Sequence, residues 1–287
     1  MEKEDAYDYL LSSVATKIRN SCREIPFPSD EQRRRWPWEL IQNACDSIAV
    51  NPNRSDVDIK VLLYDDRVEF HHNGSPFTID QLFSLIYMSS RGKENTNTIG
   101  QFGTGFISTL VVSMVVEIET NVIGKDGNSK RQRITLYRTG KTIDDVIDDI
   151  KKTVKSVEDL DEESEWTKFI YKFREQDNIK TAELGAKEFL QNIPKVMLFC
   201  RRIKSAKLEV NYSNYSSLEE KFKNNYISEF SIGSFQNIKK IGDYHLKECL
   251  VKQIENGRPI DHKFISVQHT NSNTFEYFRC QMNMVIT

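Results

Sequence analysis

The chain has no apolar run that approaches the ~20 residues a helix needs to cross a bilayer. Its most apolar stretch, Phe106 to Val116, is long enough for only a short piece of helix and a short strand. The first residues, Met1 to Asp5, are largely acidic and lack an apolar core, so they do not read as a secretion signal. No two of the five cysteines, at 22, 45, 200, 249 and 280, have Cys-x-x-Cys spacing, and their number is odd. That argues against a zinc site and a disulfide framework, and points to the reducing cytoplasm. Of the five histidines (71, 72, 245, 262 and 269), only the adjacent His71 and His72 fall near other chemically informative residues, and two neighbours alone do not make a metal site. Excess charge of one sign is also missing: 40 Lys and Arg against 42 Asp and Glu give a formal net charge of -2. Charge therefore gives no case for nucleic acid as a partner. Arg33, Arg34 and Arg35 read as a solvated first turn of a helix.

What is present is an ordinary globular composition, 38% hydrophobic and 29% charged over 287 residues. That length suits one sizeable α/β domain and a smaller module. Tyr7, Leu10, Leu11, Val14 and Ile18 recur at helical spacing within 2–20. Ser29-x-x-Gln32 is a capping-box pattern that opens a second helix, which Pro37 should kink or restart before it ends near Val50. Val57, Ile59, Val61 and Leu63 alternate as a half-buried strand, turned by Asp65 and Asp66 into a partner at 68–71. Thr78-x-x-Gln81 caps an apolar helix to Met88. Residues 89–99 are polar and read as a mobile loop, and strands follow near 114–122 and 131–138. The acidic stretch 141–165 reads as a surface insertion with a helix from Asp144 to Val154, and 166–173 as a strand. Residues 181–201 read as a helix interrupted at Pro194. Short strands are expected near 206–212, 227–233, 247–254, 264–268 and 278–286, with a domain boundary at about 204–205. The last strand reaches the end of the sequence, where a natural terminus and a piece of a longer protein both fit.

Two clusters carry chemistry. At about 100° per residue, Glu39, Asn43 and Asp46 share one face of their helix, with Leu40, Ile41, Ala44 and Ile48 pointing elsewhere. A carboxylate there can orient and deprotonate a water, and an amide oxygen can hold Mg²⁺. A solvated polar face would look the same. The second cluster is Gly100, Gly103 and Gly105 around Gln101, Phe102 and Thr104. Its glycines let backbone amides approach a phosphate closely, though a tight turn into a buried helix is the alternative. The segment lacks the Gly-Lys-Ser/Thr ending of a P-loop.

In their order and spacing, four segments resemble the motifs of the GHKL superfamily (gyrase, heat-shock chaperone, histidine kinase and MutL): Glu39-x3-Asn43-x2-Asp46, Val68 to Phe77, Gly100 to Phe106, and Glu165 to Lys168. The match covers about residues 36–170, and the second segment and Val196 to Lys204 look closest to sacsin-like, chaperone-like members. The resemblance implies a Bergerat fold: a two-layer α/β sandwich with a mixed, largely antiparallel sheet and helices on one face; the strands expected over 205–287 read as a partial, smaller strand-rich module whose role the sequence does not give. It implies Mg-dependent binding and hydrolysis of ATP, with lid closure driving a conformational or dimerisation cycle in a larger protein. A nucleotide-sensing or chaperone-like interaction module with little hydrolysis is the alternative.

By that resemblance Glu39 is the general base, Asn43 holds Mg²⁺ and phosphate oxygens, and Asp46 faces the ribose or adenine side. Gly74 makes room for the base, Phe77 packs beside it, and Thr167 completes the adenine network. Gly100, Phe102, Gly103, Thr104 and Gly105 supply phosphate contacts. Residues 89–99 form the lid, with Ser90 and Lys93 as contacts to phosphate; for Lys93 a solvated loop position is the alternative. The partners implied are ATP or ADP, a second copy in the ATP-bound state, and downstream domains of the same protein, with no membrane. Two departures stand out. His72 occupies the place of the family's adenine-binding aspartate, and Pro76 that of a second glycine. A neutral imidazole still has one acceptor nitrogen for the adenine amino group, but it brings no negative charge.

Overall fold

The computed structural model describes residues 3–49, 51, 53–88, 104–211, 225–269 and 275–276. Helix α1 spans Lys3–Cys22 and α2 spans Asp30–Ala49. The capping box forms as expected: the Gln32 amide donates to Ser29 Oγ at 3.2 Å, and the Ser29 amide donates to Gln32 Oε1 at 2.7 Å. Strands β1 (Val57–Tyr64), β2 (Arg67–His72) and the two-residue β3 (Phe77–Thr78) follow, then α3 (Ile79–Tyr87) with its Thr78/Gln81 capping box formed. The lid expected at 89–99 and the turn at 100–103 lie outside the described residues. The chain resumes at α4 (Thr104–Thr109), β4 (Val115–Ile123), β5 (Ser129–Tyr137), α5 (Ile143–Lys155), β6 (Glu158–Asp159), β7 (Thr167–Lys172) and α6 (Gln176–Phe199). It ends in β8 (Ile203–Asn211), β9 (Tyr226–Ile241), β10 (Tyr244–Glu255), β11 (Arg258–His269) and β12 (Phe275–Glu276).

The fold is mixed α/β, with one large and mostly antiparallel sheet. The strand order is β12-β11-β10-β9-β8-β1-β2-β7-β4-β5-β6, and β3 pairs with β4. Among the described strands only the β1–β8 and β3–β4 pairs are parallel. The boundary expected at 204–205 falls inside β8, which runs beside β1 from Val57↔Ile203 to Tyr64↔Asn211. The later strands therefore extend the sheet that β1 belongs to.

The core lies between α2, α6 and the central strands. Val57, Ile59, Val61 and Leu63 of β1 are buried together with Val68 and Phe70 of β2, Val116 and Ile118 of β4, and Phe169 and Tyr171 of β7. Trp36, Leu40 and Ala44 of α2 and Phe189, Ile193 and Met197 of α6 join the same cluster. The alternate residues of β4, β5 and β7 carry charge instead. Glu119 pairs with Lys168 at 2.8 Å and Arg133 at 2.6 Å, and Glu117 with Lys172 at 3.2 Å.

Three expectations are corrected. Helix α2 continues through Pro37 and does not restart there. Proline removes one amide donor, but the turn that precedes it is clamped to α6: Arg33 donates to Asp177 Oδ2 at 2.7 Å and Thr181 Oγ1 at 2.6 Å, and Trp36 to the Thr181 carbonyl at 3.3 Å. Helix α6 likewise continues through Pro194, whose neighbours Ile193 and Met197 are fully buried, and it begins earlier than expected. The acidic stretch is not merely a surface insertion. Helix α5 buries Val146, Ile150 and Thr153 and packs on α1, α3 and β5. Its acidic residues mask a strongly amphipathic helix, capped by Thr142 and Asp145. No helix among the described residues is long and apolar enough to cross a membrane.

Candidate functional site

Helix α2 packs against β1 and β2 and is also in contact with α4. Glu39 and Asn43 are half-buried, and Asp46, one turn further on, is buried. Arg35 lies 3.7 Å from Glu39 Oε1, one turn back on the same helix. The other carboxylate oxygen faces Gly105 so closely that a Cβ on residue 105 would sit 2.6 Å from it. A side chain there would push the carboxylate aside, so the glycine lets Glu39 sit this close to α4. Glu39 and Gly105, read from separate segments of the sequence, are thus in contact. The backbone of Thr104 opens α4, while Ser90, Lys93, Gly100, Phe102 and Gly103 lie outside the described residues.

The segment after β2 is fastened to the far end of the same helix. Ser47 Oγ donates to the Ala44 carbonyl at 2.7 Å and accepts the Ser75 amide at 3.1 Å. A Cβ at Gly74 would overlap Ser47 Oγ and lie 2.9 Å from His72 Nδ1, so close approach to α2 requires glycine here too. Asn73 clips this segment to β1: its side chain accepts from the Asp58 amide at 2.7 Å and donates to Asp58 Oδ2 at 2.9 Å. Neither Ser47 nor Asn73 was read from the sequence as part of the site. The signal for Asn73 was present, since Asn before Gly at a strand end commonly bonds nearby backbone.

His72 and Thr167 are direct cross-strand partners, Cα opposite Cα. Both side chains are buried at 2% exposure. Thr167 shares a hydrogen bond with Thr120 Oγ1 at 2.8 Å. His72 stacks on Phe169 at 6.1 Å and 25°, and Phe77 and Phe106 meet the same ring at 6.5 Å and 5.8 Å. Tyr171 anchors α4 by donating to Thr109 Oγ1 at 2.9 Å. Thr120 and Phe169, the hub of this aromatic group, were not singled out in the sequence, where they read as ordinary strand residues.

The imidazole chemistry differs from the expectation. His72 Nδ1 accepts the Gly74 amide at 3.1 Å. Burial, with lesser contributions from His71 and Arg54, pushes the His72 pKa down to about 3, so the ring is neutral at physiological pH. A neutral ring with Nδ1 accepting must carry its proton on Nε2. The acceptor expected to receive an adenine amino group is therefore already used, and the remaining nitrogen is a donor. On the alternate positions of β2, Glu69 is bound by Arg67 at 2.6 Å and His71 at 2.8 Å. Burial would raise its carboxyl pKa, but these two partners outweigh it and hold the carboxyl below its ordinary value.

Two cations hold the last turn of α3, where the segment 89–103 departs. Arg138 Nη2 donates to the Leu85 and Ile86 carbonyls at 3.1 and 2.7 Å, and Lys17 Nζ donates to the Met88 carbonyl at 2.5 Å. Such groups complete the open carbonyls of a helix end. Burial lowers the Arg138 pKa to about 10. Among the described residues no group of three or more His, Cys, Asp or Glu side chains could hold a metal ion by itself. No protein-family model matches the chain, and no curated protein matches it.

Proposed function

We propose that the chain is a Mg-dependent ATP-binding and ATP-hydrolysing domain of the GHKL type, built as the two-layer Bergerat sandwich. The observation that carries this reading is the contact between Glu39 and Gly105. Two segments 66 positions apart in sequence meet with a carboxylate against the first turn of α4. In this reading Glu39 takes the proton of the attacking water, and Asn43, one turn along the same half-buried face, offers an amide oxygen to Mg²⁺. Bound Mg²⁺ would neutralise charge on the phosphates. Asp46, Gly74, Phe77, His72 and Thr167 line the base side, and Gly100, Phe102, Gly103, Thr104 and Gly105 with the lid residues Ser90 and Lys93 attend the phosphates. Lid closure then drives a conformational or dimerisation cycle in a larger protein.

The test is Glu39→Ala. A general base acts in the chemical step, so the variant should lose phosphate release by a factor of at least about 10² while binding Mg·ATP within a few-fold of wild type. Unchanged turnover refutes the assignment. A second reading, a nucleotide sensor with little hydrolysis, is favoured by the Arg35–Glu39 ion pair and the altered base contact at His72. Binding of Mg·ATP with no turnover above background by the wild type would select it.

A further inference from the structure

Helix α2 carries one more reactive group, on the side turned towards α6. Cys45 Sγ lies 3.4 Å from Cys200 Sγ in a sulfur–sulfur hydrogen bond. The two residues are 155 positions apart, so no local spacing in the sequence announces the pair. Cys45 is buried, and Cys200 is half-buried at the C-cap just beyond α6, three positions before β8 begins. Arg202 reaches the same spot and donates to the Cys45 carbonyl at 3.4 Å. The other described cysteines differ. Cys22 and Cys249 are buried, and Cys249 donates to Ser266 Oγ rather than to a sulfur.

We propose that Cys45 and Cys200 are a redox pair that closes to a disulfide when the chain meets a hydroperoxide. The sulfurs need to approach by about 1.4 Å, from contact to a bond of about 2.0 Å. Cys200 sits where the helix has ended, so its side chain can make most of that movement. The Cys200 thiolate attacks one peroxide oxygen. An S–O bond forms, the O–O bond breaks, and the departing hydroxide takes a proton to become water. Cys45 sulfur then attacks the resulting sulfenic sulfur. The S–S bond forms, the S–O bond breaks, and the hydroxide leaves as a second water with the Cys45 proton. Two thiols and one hydrogen peroxide give one disulfide and two waters, so the two electrons lost by sulfur are gained by peroxide oxygen. Cys200 is the first nucleophile on grounds of access. The hydrogen bond shared with Cys45 also draws its thiol pKa down against the opposing effect of burial, helped by the backbone amide and the charge of Arg202. The new bond ties the helix bearing Glu39, Asn43 and Asp46 to the α6–β8 junction. It requires no nucleotide, and it stands or falls independently of the ATPase reading.

The experiment uses the full chain, fully reduced, treated with equimolar hydrogen peroxide, blocked with an alkylating agent and digested without reductant. Mass spectrometry should recover the Cys45 and Cys200 peptides as one linked species, two hydrogens lighter than the sum. Dithiothreitol should split it, and Cys22 and Cys249 should be alkylated only after unfolding. Two of the five thiols should disappear together. Cys45→Ser should instead trap Cys200 as a sulfenic acid that dimedone labels. If that variant does not fold, the wild-type map decides alone. The proposal is overturned if both sulfurs stay free, if Cys200 is over-oxidised without a link, or if either pairs with Cys280 or with another chain.

Discussion

Strands β1 and β9 belong to the same sheet and meet different fates. Every second residue of β1 is buried from end to end, because helices α2 and α6 pack on it. Strand β9 starts in the same way, with Tyr226, Ser228 and Phe230 buried, and then leaves its cover: all residues from 234 to 241 are exposed. Its neighbour β10 and the adjoining β11 expose Tyr244, Ile254 and Ile260. Strand pairing does not by itself bury side chains; a helix layer does. The candidate site lies in the covered half, where buried contacts can hold a carboxylate, an imidazole and two glycines at fixed separations. The largest test of this contrast is Phe70→Ala in β2. Phe70 is fully buried between His72 and Phe169, at 6.3 and 6.5 Å. Truncation there should cost about 3–5 kcal/mol, read from urea unfolding. A loss below about 1 kcal/mol would mean the central core is not the cooperative unit described.

The next effect sharpens the account of how the helix layer is assembled. Gly185 of α6 faces Trp36 of α2, and a Cβ on residue 185 would overlap the indole ring. Trp36 is fully buried and cannot simply swing away. Gly185→Ala should therefore destabilise the chain by about 1–3 kcal/mol, although alanine is the better helix former. Unchanged or increased stability would show that α2 and α6 do not touch there.

His72 gives a pH-dependent test of burial at the site. Its folded pKa is depressed to about 3, against 6.5 for the ordinary group. As pH falls below 6.5 the unfolded chain binds a proton there and the folded chain does not. The stabilising contribution is thus complete above about 6.5 and is lost progressively down to about 3. The expected loss is about 1 kcal/mol between pH 6.5 and 5.5. His72→Asn can still accept the Gly74 amide and does not titrate. Wild-type stability should therefore fall more steeply than the variant's over this window, and parallel profiles would mean that His72 is hydrated. In the ATPase reading, the Nε2–H donor also predicts that a purine with a carbonyl at C6 competes better than in a site with a carboxylate, which competition calorimetry with Mg·GTP would measure.

Much of the covered half was legible because its signals are local. The capping boxes at Ser29 and Thr78, the alternation at 57–63 and the helical face of Glu39, Asn43 and Asp46 each depend on residues within a turn or two of one another. What could not be read depends on distant partners. Pro37 and Pro194 look like breaks until Arg33, Trp36 and the α2–α6 packing are seen. The acidic α5 looks like an insertion until α1 covers Val146 and Ile150. The proton position on His72 is set by a backbone amide two residues ahead, a matter of turn geometry. The outer strands expected at 227–233, 247–254 and 264–268 were placed but read too short, since an exposed ladder lacks the hydrophobic alternation used to find strand ends, while the one expected at 278–286 lies outside the described residues.

The smallest expected effect concerns that exposed ladder. Ile238 of β9 is 54% exposed. The β9–β10 register steps from Lys239↔Leu246 to Asn237↔Lys247, so Ile238 is the extra residue of a bulge and has no cross-strand partner. Ile238→Ser removes neither a buried contact nor a cross-strand pair. Its unfolding free energy should stay within about 0.5 kcal/mol of wild type, as for ordinary surface positions. Set beside Phe70→Ala, the ratio of the two losses measures how unevenly one continuous sheet is held. A cost above about 1 kcal/mol at Ile238 would mean that the outer ladder is covered in solution, and that the contrast between β1 and β9 belongs to the isolated chain alone.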